Sequence, residues 1–180
     1  KTVVRYLLQL PYRAGFFLLR RCKKDLDDIT NFNENSQITP EIFREIKKTK
    51  SRKGGQGYNL SKEDRDIVDK HAMELVMKDW IKNGWKAKDS SKIYGGGRDF
   101  EFYKGNKTVY CEVKGTTGDG SSVNLTHTQV KKMKLEYPNS ALHVVYGIYL
   151  DKSQKPPKPL FGKFIKKYPW KVLDSKLSAT

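Results

Sequence analysis

Three side chains near the middle of the 180-residue chain have types and spacing that could do chemistry together: Asp99, Glu112 and Lys114. In Thr108-Val109-Tyr110-Cys111-Glu112-Val113-Lys114, strand alternation places Val109, Cys111 and Val113 on one face and Tyr110, Glu112 and Lys114 on the other. In the preceding run Phe100 and Phe102 share the apolar face, which leaves Asp99 and Glu101 on the polar one. Lys104-Gly105-Asn106-Lys107 reads as a hairpin with a two-residue turn. Pairing Lys104 with Lys107 then sets Asp99 opposite Glu112. Directly opposed side chains have Cβ atoms about 4.5–5.5 Å apart, where like charges repel. Lys114 supplies one compensating charge, and a divalent cation bound by carboxylate oxygens would supply the rest. The plainer alternative is a cross-strand salt-bridge cluster on a solvated face, and a β-bulge would shift the register by one.

The elements that must position these residues are legible around them. Ser61 with Asp64 resembles a capping box, and Val68, Ala72, Leu75, Val76 and Asp79 form a stripe at helical spacing that Gly84 ends. A short strand is expected around Trp85 to Lys88, followed by Gly95-Gly96-Gly97 and the hairpin. Gly115 to Ser122 reads as a flexible loop beside the site, free to touch phosphates through its N–H groups. Thr126 with Gln129 forms a second capping box, opening a helix through Val130, Met133 and Tyr137 that Pro138 stops. Ala141 to Leu150 is continuous enough for one buried strand. The expected order is helix, three strands, helix, strand. Lys155-Pro156-Pro157-Lys158-Pro159 separates a final basic segment.

Composition bounds the function classes. With 36 Lys+Arg against 20 Asp+Glu the net charge is +16, and 12% aromatic content is too high for a disordered polycation. Such a charge favours polyanions, nucleic acid above all. It is uneven: residues 1–60 carry +7, residues 61–135 only +4, and residues 136–180 carry +5. The flanks would grip a phosphate backbone, while the middle keeps its acids. Two cysteines and three scattered histidines make neither a disulfide framework nor a zinc site, which favours an intracellular location, cytoplasm or nucleus. No integral membrane segment is expected, since the longest uncharged stretch near the start, Tyr6 to Tyr12, is far short of a span. Residues 1–24 read as one or two basic amphipathic helices, and Thr39-Pro40 opens another short helix. The basic glycine-rich stretch from Lys50 to Gly57 follows. Residues 1–57 are therefore expected to be a basic helical extension and linker, and residues 58–180 the main domain. Beginning at Lys1 rather than Met, the chain reads as a piece of a larger protein, whose other domains would be partners.

Asp99 followed by Glu112-Val113-Lys114 after a β-hairpin resembles the signature of the PD-(D/E)XK nuclease superfamily. The stretches Ile67-Val68-Asp69-Lys70-His71-Ala72-Met73-Glu74-Leu75 and Glu112-Val113-Lys114-Gly115-Thr116-Thr117, with Leu125-Thr126, look most like the nuclease-like domain at the C-terminus of NO VEIN proteins. The resemblance implies a restriction-endonuclease-like α/β fold with an α-β-β-β-α-β core, a mixed sheet flanked by helices. It implies a Mg²⁺- or Mn²⁺-dependent endonuclease hydrolysing phosphodiesters of DNA or RNA. Asp99 and Glu112 would hold the metal, with the carbonyl of Val113 as a further ligand, and Lys114 would orient or help deprotonate the attacking water. The superfamily often has an acid on the first helix. Asp69 borders the packed face and Glu74 points away, so Asp69 is the expected metal or water ligand, although NO VEIN-like domains generally carry Glu there. Gln129 matches a polar position close to the metal on the second helix, in competition with its capping role. Arg98 stands where the superfamily often has Pro. With Lys131, Lys53 and Arg52 it is an expected nucleic-acid contact. The alternative class is a nuclease-fold module without catalysis that binds nucleic acid or a protein partner.

Overall fold

A computed structural model describes residues 3–8, 60–93 and 97–179. Their elements, in chain order, are β1 (Val3–Leu7), α1 (Lys62–Lys82), β2 (Lys86–Asp89), β3 (Phe100–Lys104), β4 (Lys107–Gly115), β5 (Ser122–Thr126), α2 (His127–Leu135), β6 (Ser140–Tyr146), β7 (Tyr149–Asp151), β8 (Lys158–Leu160), β9 (Lys163–Lys167), a 3-10 turn (Asp174–Lys176) and β10 (Leu177–Ala179).

Helix α1 starts where Ser61 Oγ accepts the Asp64 N–H at 3.0 Å, a cap that satisfies one orphan donor of the first turn. Val68, Ala72, Val76 and Trp80 are buried at steps of four, which lines one face of the helix. The helix ends in a Schellman arrangement. Gly84 N–H returns to Ile81 O at 2.9 Å and Trp85 N–H to Trp80 O at 3.1 Å, with Gly84 at φ +80°, a conformation a side chain would strain. That turn packs Trp85 edge-on against Trp80, ring centroids 4.8 Å apart, while Trp80 lies flat on Phe102 at 4.4 Å. Trp80 therefore anchors α1 to the sheet.

The main sheet has the order β2-β3-β4-β6-β9. Its β4–β6 pair is parallel and the other pairings are antiparallel. The parallel pair requires a crossover, which β5 and α2 supply. Val109, Cys111 and Val113 of β4 pack towards α1 in one core cluster. On the opposite face Leu142 and Val144 of β6 join Val123, Leu125, Val130, Met133, Tyr6 and Trp170 in a second cluster. A small sheet of order β10-β1-β5 contributes to this second layer. Both faces of the central strand are covered.

The α/β class and the mixed sheet are as expected, and the details differ in four places. Residues 3–7 form strand β1 between β5 and β10 rather than an amphipathic helix; alternation lets Tyr6 bury inward, where it packs edge-on against Trp170. An extra strand, β5, stands between the hairpin and α2. The run from Ala141 to Leu150 is not one strand, because Gly147 at φ +68° breaks it into β6 and β7. The final basic segment adds to the core beyond the expected element order: β9 completes the main sheet and Trp170 and Val172 are core residues. The expected helices elsewhere in 9–57 lie outside the described residues.

Gly115, at the end of β4, fixes how closely α1 approaches. A Cβ there would meet Val68 O at 2.8 Å and the Ala72 Cβ at 3.0 Å. Gly115→Ala should push the helix away and cost about 1–3 kcal/mol, read as a lower urea midpoint with an unchanged m-value. A variant as stable as the parent would mean the helix yields freely there.

Candidate active site

The hairpin register is as the spacing predicts, with Lys104 opposite Lys107 and Phe100 opposite Cys111. The ladder stops there. Asp99 N–H donates to Cys111 O at 2.9 Å, the same residue that faces Phe100, so two residues of one strand meet one of the other in the manner of a bulge. Asp99 is thus not the ladder partner of Glu112. Instead its Oδ2 accepts the Val113 N–H at 2.7 Å, and the carboxylate takes over as the edge partner of β4 where β3 has ended.

Glu112 does not lie on a solvated face. It is 0% exposed, because the layer containing β5 and α2 covers the side of β4 that the alternation marks as polar. Its Oε1 accepts from Lys114 Nζ at 2.7 Å and, in a short contact, from Gln129 Nε2. Its Oε2 is buried with no hydrogen-bond partner. An unpartnered buried carboxylate oxygen is costly.

Gln129 completes the cap and reaches Glu112 at once. Its Oε1 accepts the Thr126 N–H at 2.8 Å, completing the capping box in which Thr126 Oγ1 accepts the Gln129 N–H at 3.2 Å. Its Nε2 is then left free to reach Glu112. An amide has a donor end and an acceptor end, so cap and site contact do not compete.

Asp69 is on the same side of the cluster, at its rim. It is exposed, yet enough protein surrounds it that burial raises its carboxyl, and it feels both Lys114 and Asp99. Burial likewise raises Asp99 against the opposing pull of Lys114 and the Val113 N–H. Glu112 is pushed up to about 8 by burial, with Asp99 adding to the shift and Lys114 opposing it. For Lys114 burial acts to lower the pKa, but the carboxylates of Glu112, Asp99 and Asp69 outweigh it and hold the ammonium above its usual value.

Other expected site residues are placed elsewhere. Arg98 is engaged within the protein: its guanidinium pairs with Glu101 at 2.7 Å and Glu136 at 3.1 Å and lies 4.5 Å over the Tyr110 ring. Glu101, on the face read as polar, is buried, its pKa lowered to about 2 by hydrogen bonds from Tyr103, Arg98 and Lys88. The loop from Thr116 to Ser121 is pinned rather than free. The N–H groups of Thr116, Gly118 and Ser121 go to Val145 O, Thr116 Oγ1 and Asp119 Oδ1. Asp79 pairs with Lys166 of β9 at 2.6 Å. Lys131 is exposed on α2, whereas Arg52 and Lys53 lie outside the described residues. Among the described residues no three His, Cys, Asp or Glu side chains are grouped as a ready metal-ligand set. None of their helices is long and apolar enough to cross a membrane.

The molecule is thus an α/β domain whose mixed sheet buries an acid–lysine–amide cluster at the end of its central strand. The family model described as Protein NO VEIN, C-terminal, matches residues 68–160, just over half of the chain, from the second turn of α1 to the end of β8. The chain belongs to this family. No curated protein and no solved structure was found to match it.

A buried acid with a raised pKa is protonated in the fold and ionised in the unfolded chain over the window between the two values. Glu112 therefore lowers stability progressively as pH rises from about 4.5 to about 8. Glu112→Gln should remove that slope. Urea midpoints measured across this window should fall for the parent relative to the variant, and parallel curves would refute a neutral Glu112.

Proposed function

We propose that this domain is a metal-dependent nuclease of PD-(D/E)XK type, hydrolysing phosphodiester bonds of DNA or RNA in a reducing compartment, cytoplasm or nucleus. The observation that carries the reading is Glu112: a fully buried carboxyl with one oxygen unpartnered, held beside Lys114 and within the electrostatic reach of Asp99 and Asp69. Buried acids with strongly shifted pKa values beside a specific charge partner cluster at functional sites. The order α1, β2, β3, β4, α2, β6, with β5 inserted, supports the same reading.

The donor set suits a hard divalent cation, Mg²⁺ or Mn²⁺, since oxygen ligands are what such ions take. Glu112 through Oε2 and Asp99 would hold it, with the Val113 carbonyl as a third ligand and Asp69 acting directly or through water. When bound, the ion supplies a lowered pKa for water and charge stabilisation at the phosphoryl group. The chain's own residues do the rest. Gln129 and Lys114 fix Glu112 through Oε1, which leaves Oε2 as its ligating atom. Lys114, kept protonated, presents its charge to the developing phosphoryl oxygens and orients the attacking water. A fold that binds without cutting is the second reading, favoured by the absence of a ready three-ligand group among the described residues.

Incubating the protein with single- and double-stranded DNA and RNA, in Mn²⁺ and in EDTA, separates the two. Cleavage should require the metal and fall by about 100-fold or more in Glu112→Ala and in Lys114→Ala. Metal-dependent cleavage that persists in both variants would sink the mechanism. Because the Glu112 carboxyl lies at about 8, Mn²⁺ must displace its proton at neutral pH. Calorimetry in buffers of different ionisation heat should read release of about one proton at neutral pH, falling to about half a proton near pH 8 and vanishing only well above it.

A further inference from the structure

The outer face of α2 carries a second feature. His127, Lys131 and Leu135 recur every fourth residue, with Thr128 and Lys132 beside them, and together they line a groove of about 460 Å³. That volume accommodates a small-molecule-sized group such as one nucleotide. Val130 and Met133 face the core, so the groove side is the helix's solvent side. Its chemistry is mixed. Two lysines supply positive charge without an opposing acid in the lining, while Leu135 is 70% exposed, more than any other large apolar side chain among the described residues. Glu136, next in sequence to Leu135, is paired with Arg98.

The groove adjoins the cluster at Glu112. Gly97, two residues before Asp99, lies directly on α2: a Cβ at Gly97 would meet Lys132 Cγ at 2.9 Å and Thr128 O at 3.2 Å. Gln129, next to Thr128, turns inward to Glu112. The segment leading to Asp99 thus borders the groove at Gly97.

We infer that this face of α2 is a binding groove for single-stranded nucleic acid, an inference that rests on the nuclease reading for its direction but not for its test. Lys131 and Lys132 neutralise backbone phosphates, and Leu135 and the His127 ring, about 12 Å apart along the helix, each pack against a different unpaired base. Phosphate contacts alone would serve a duplex equally well. The exposed Leu135 needs a base face, which a duplex keeps stacked inside and a single strand presents.

The test is fluorescence anisotropy of the full chain in EDTA, with labelled oligonucleotides of about 12 nucleotides, one single-stranded and one a duplex. The single strand should bind about tenfold more tightly. Leu135→Ser and His127→Ala should erase that preference while leaving duplex binding unchanged. Lys131→Gln and Lys132→Gln should weaken both and each flatten the salt dependence for the single strand by about 0.7 in log–log slope. Leu135 and His127 are exposed, and circular dichroism verifies that the variants remain folded. Equal affinity for duplex and single strand, full single-strand affinity in Leu135→Ser, or binding only to an acidic protein competitor would each overturn the inference. Failure of the nuclease reading looks different: no cleavage with Mn²⁺ while the single-strand preference and its loss in Leu135→Ser persist.

Discussion

The burial of one carboxyl in the central strand is the constraint on which the rest of this structure depends. Glu112 stands on the face of β4 that a two-layer protein would leave to water, and here a second layer closes over it. Removing a carboxylate from water costs several kcal/mol unless it is neutralised or paired. The fold answers with Lys114 two residues along the same strand and Gln129 from α2, both on one oxygen. The other oxygen is left over. This asymmetry sets the chemistry the site can offer: a fixed carboxyl with one open acceptor and an ammonium beside it.

Helix α2 presents different chemistry on its two sides. Its first turn is tied by the capping box to Thr126 at the end of β5, and the same glutamine that completes the cap reaches Glu112. The helix cannot shift without moving a ligand of the buried acid. Its solvent face carries the lysines and leucine of the groove, with the Gly97 segment packed on it two residues before Asp99. Helix α1 has the corresponding role on the other layer, where Gly115 lets it approach β4 closely enough for Asp69 to stand at the rim of the cluster.

Much of the site was legible because strand and turn rules are local. The Lys104–Lys107 turn sets the register from Phe100 to Lys104, and alternation sorts β4 into its two faces. The capping signal at Thr126 and Gln129 is met in full. Legibility failed where a residue's partners are remote in sequence. Asp99 leaves the ladder to bond Val113, Arg98 finds Glu136 thirty-eight residues away, and Glu101 is enclosed by Arg98, Lys88 and Tyr103. Residues 3–7 read as helical from composition, yet they are held as a strand by β5 and β10, more than a hundred residues later. A continuing stripe at helical spacing would have marked Trp80 as core, and the same spacing marks His127, Lys131 and Leu135 as one face.

The sequence by itself determined the residue types of the cluster, their order, the hairpin that brings them near one another, and the family to which the chain belongs. These follow from backbone periodicity and turn geometry, which act over a few residues. Only the tertiary structure decided that Glu112 is buried rather than solvated, that Lys114 stays charged, and that Asp99 serves a main-chain N–H. Burial and pKa are set by what the layers bring against β4 from α1, β5 and α2, and that contact pattern is a property of packing rather than of any local segment.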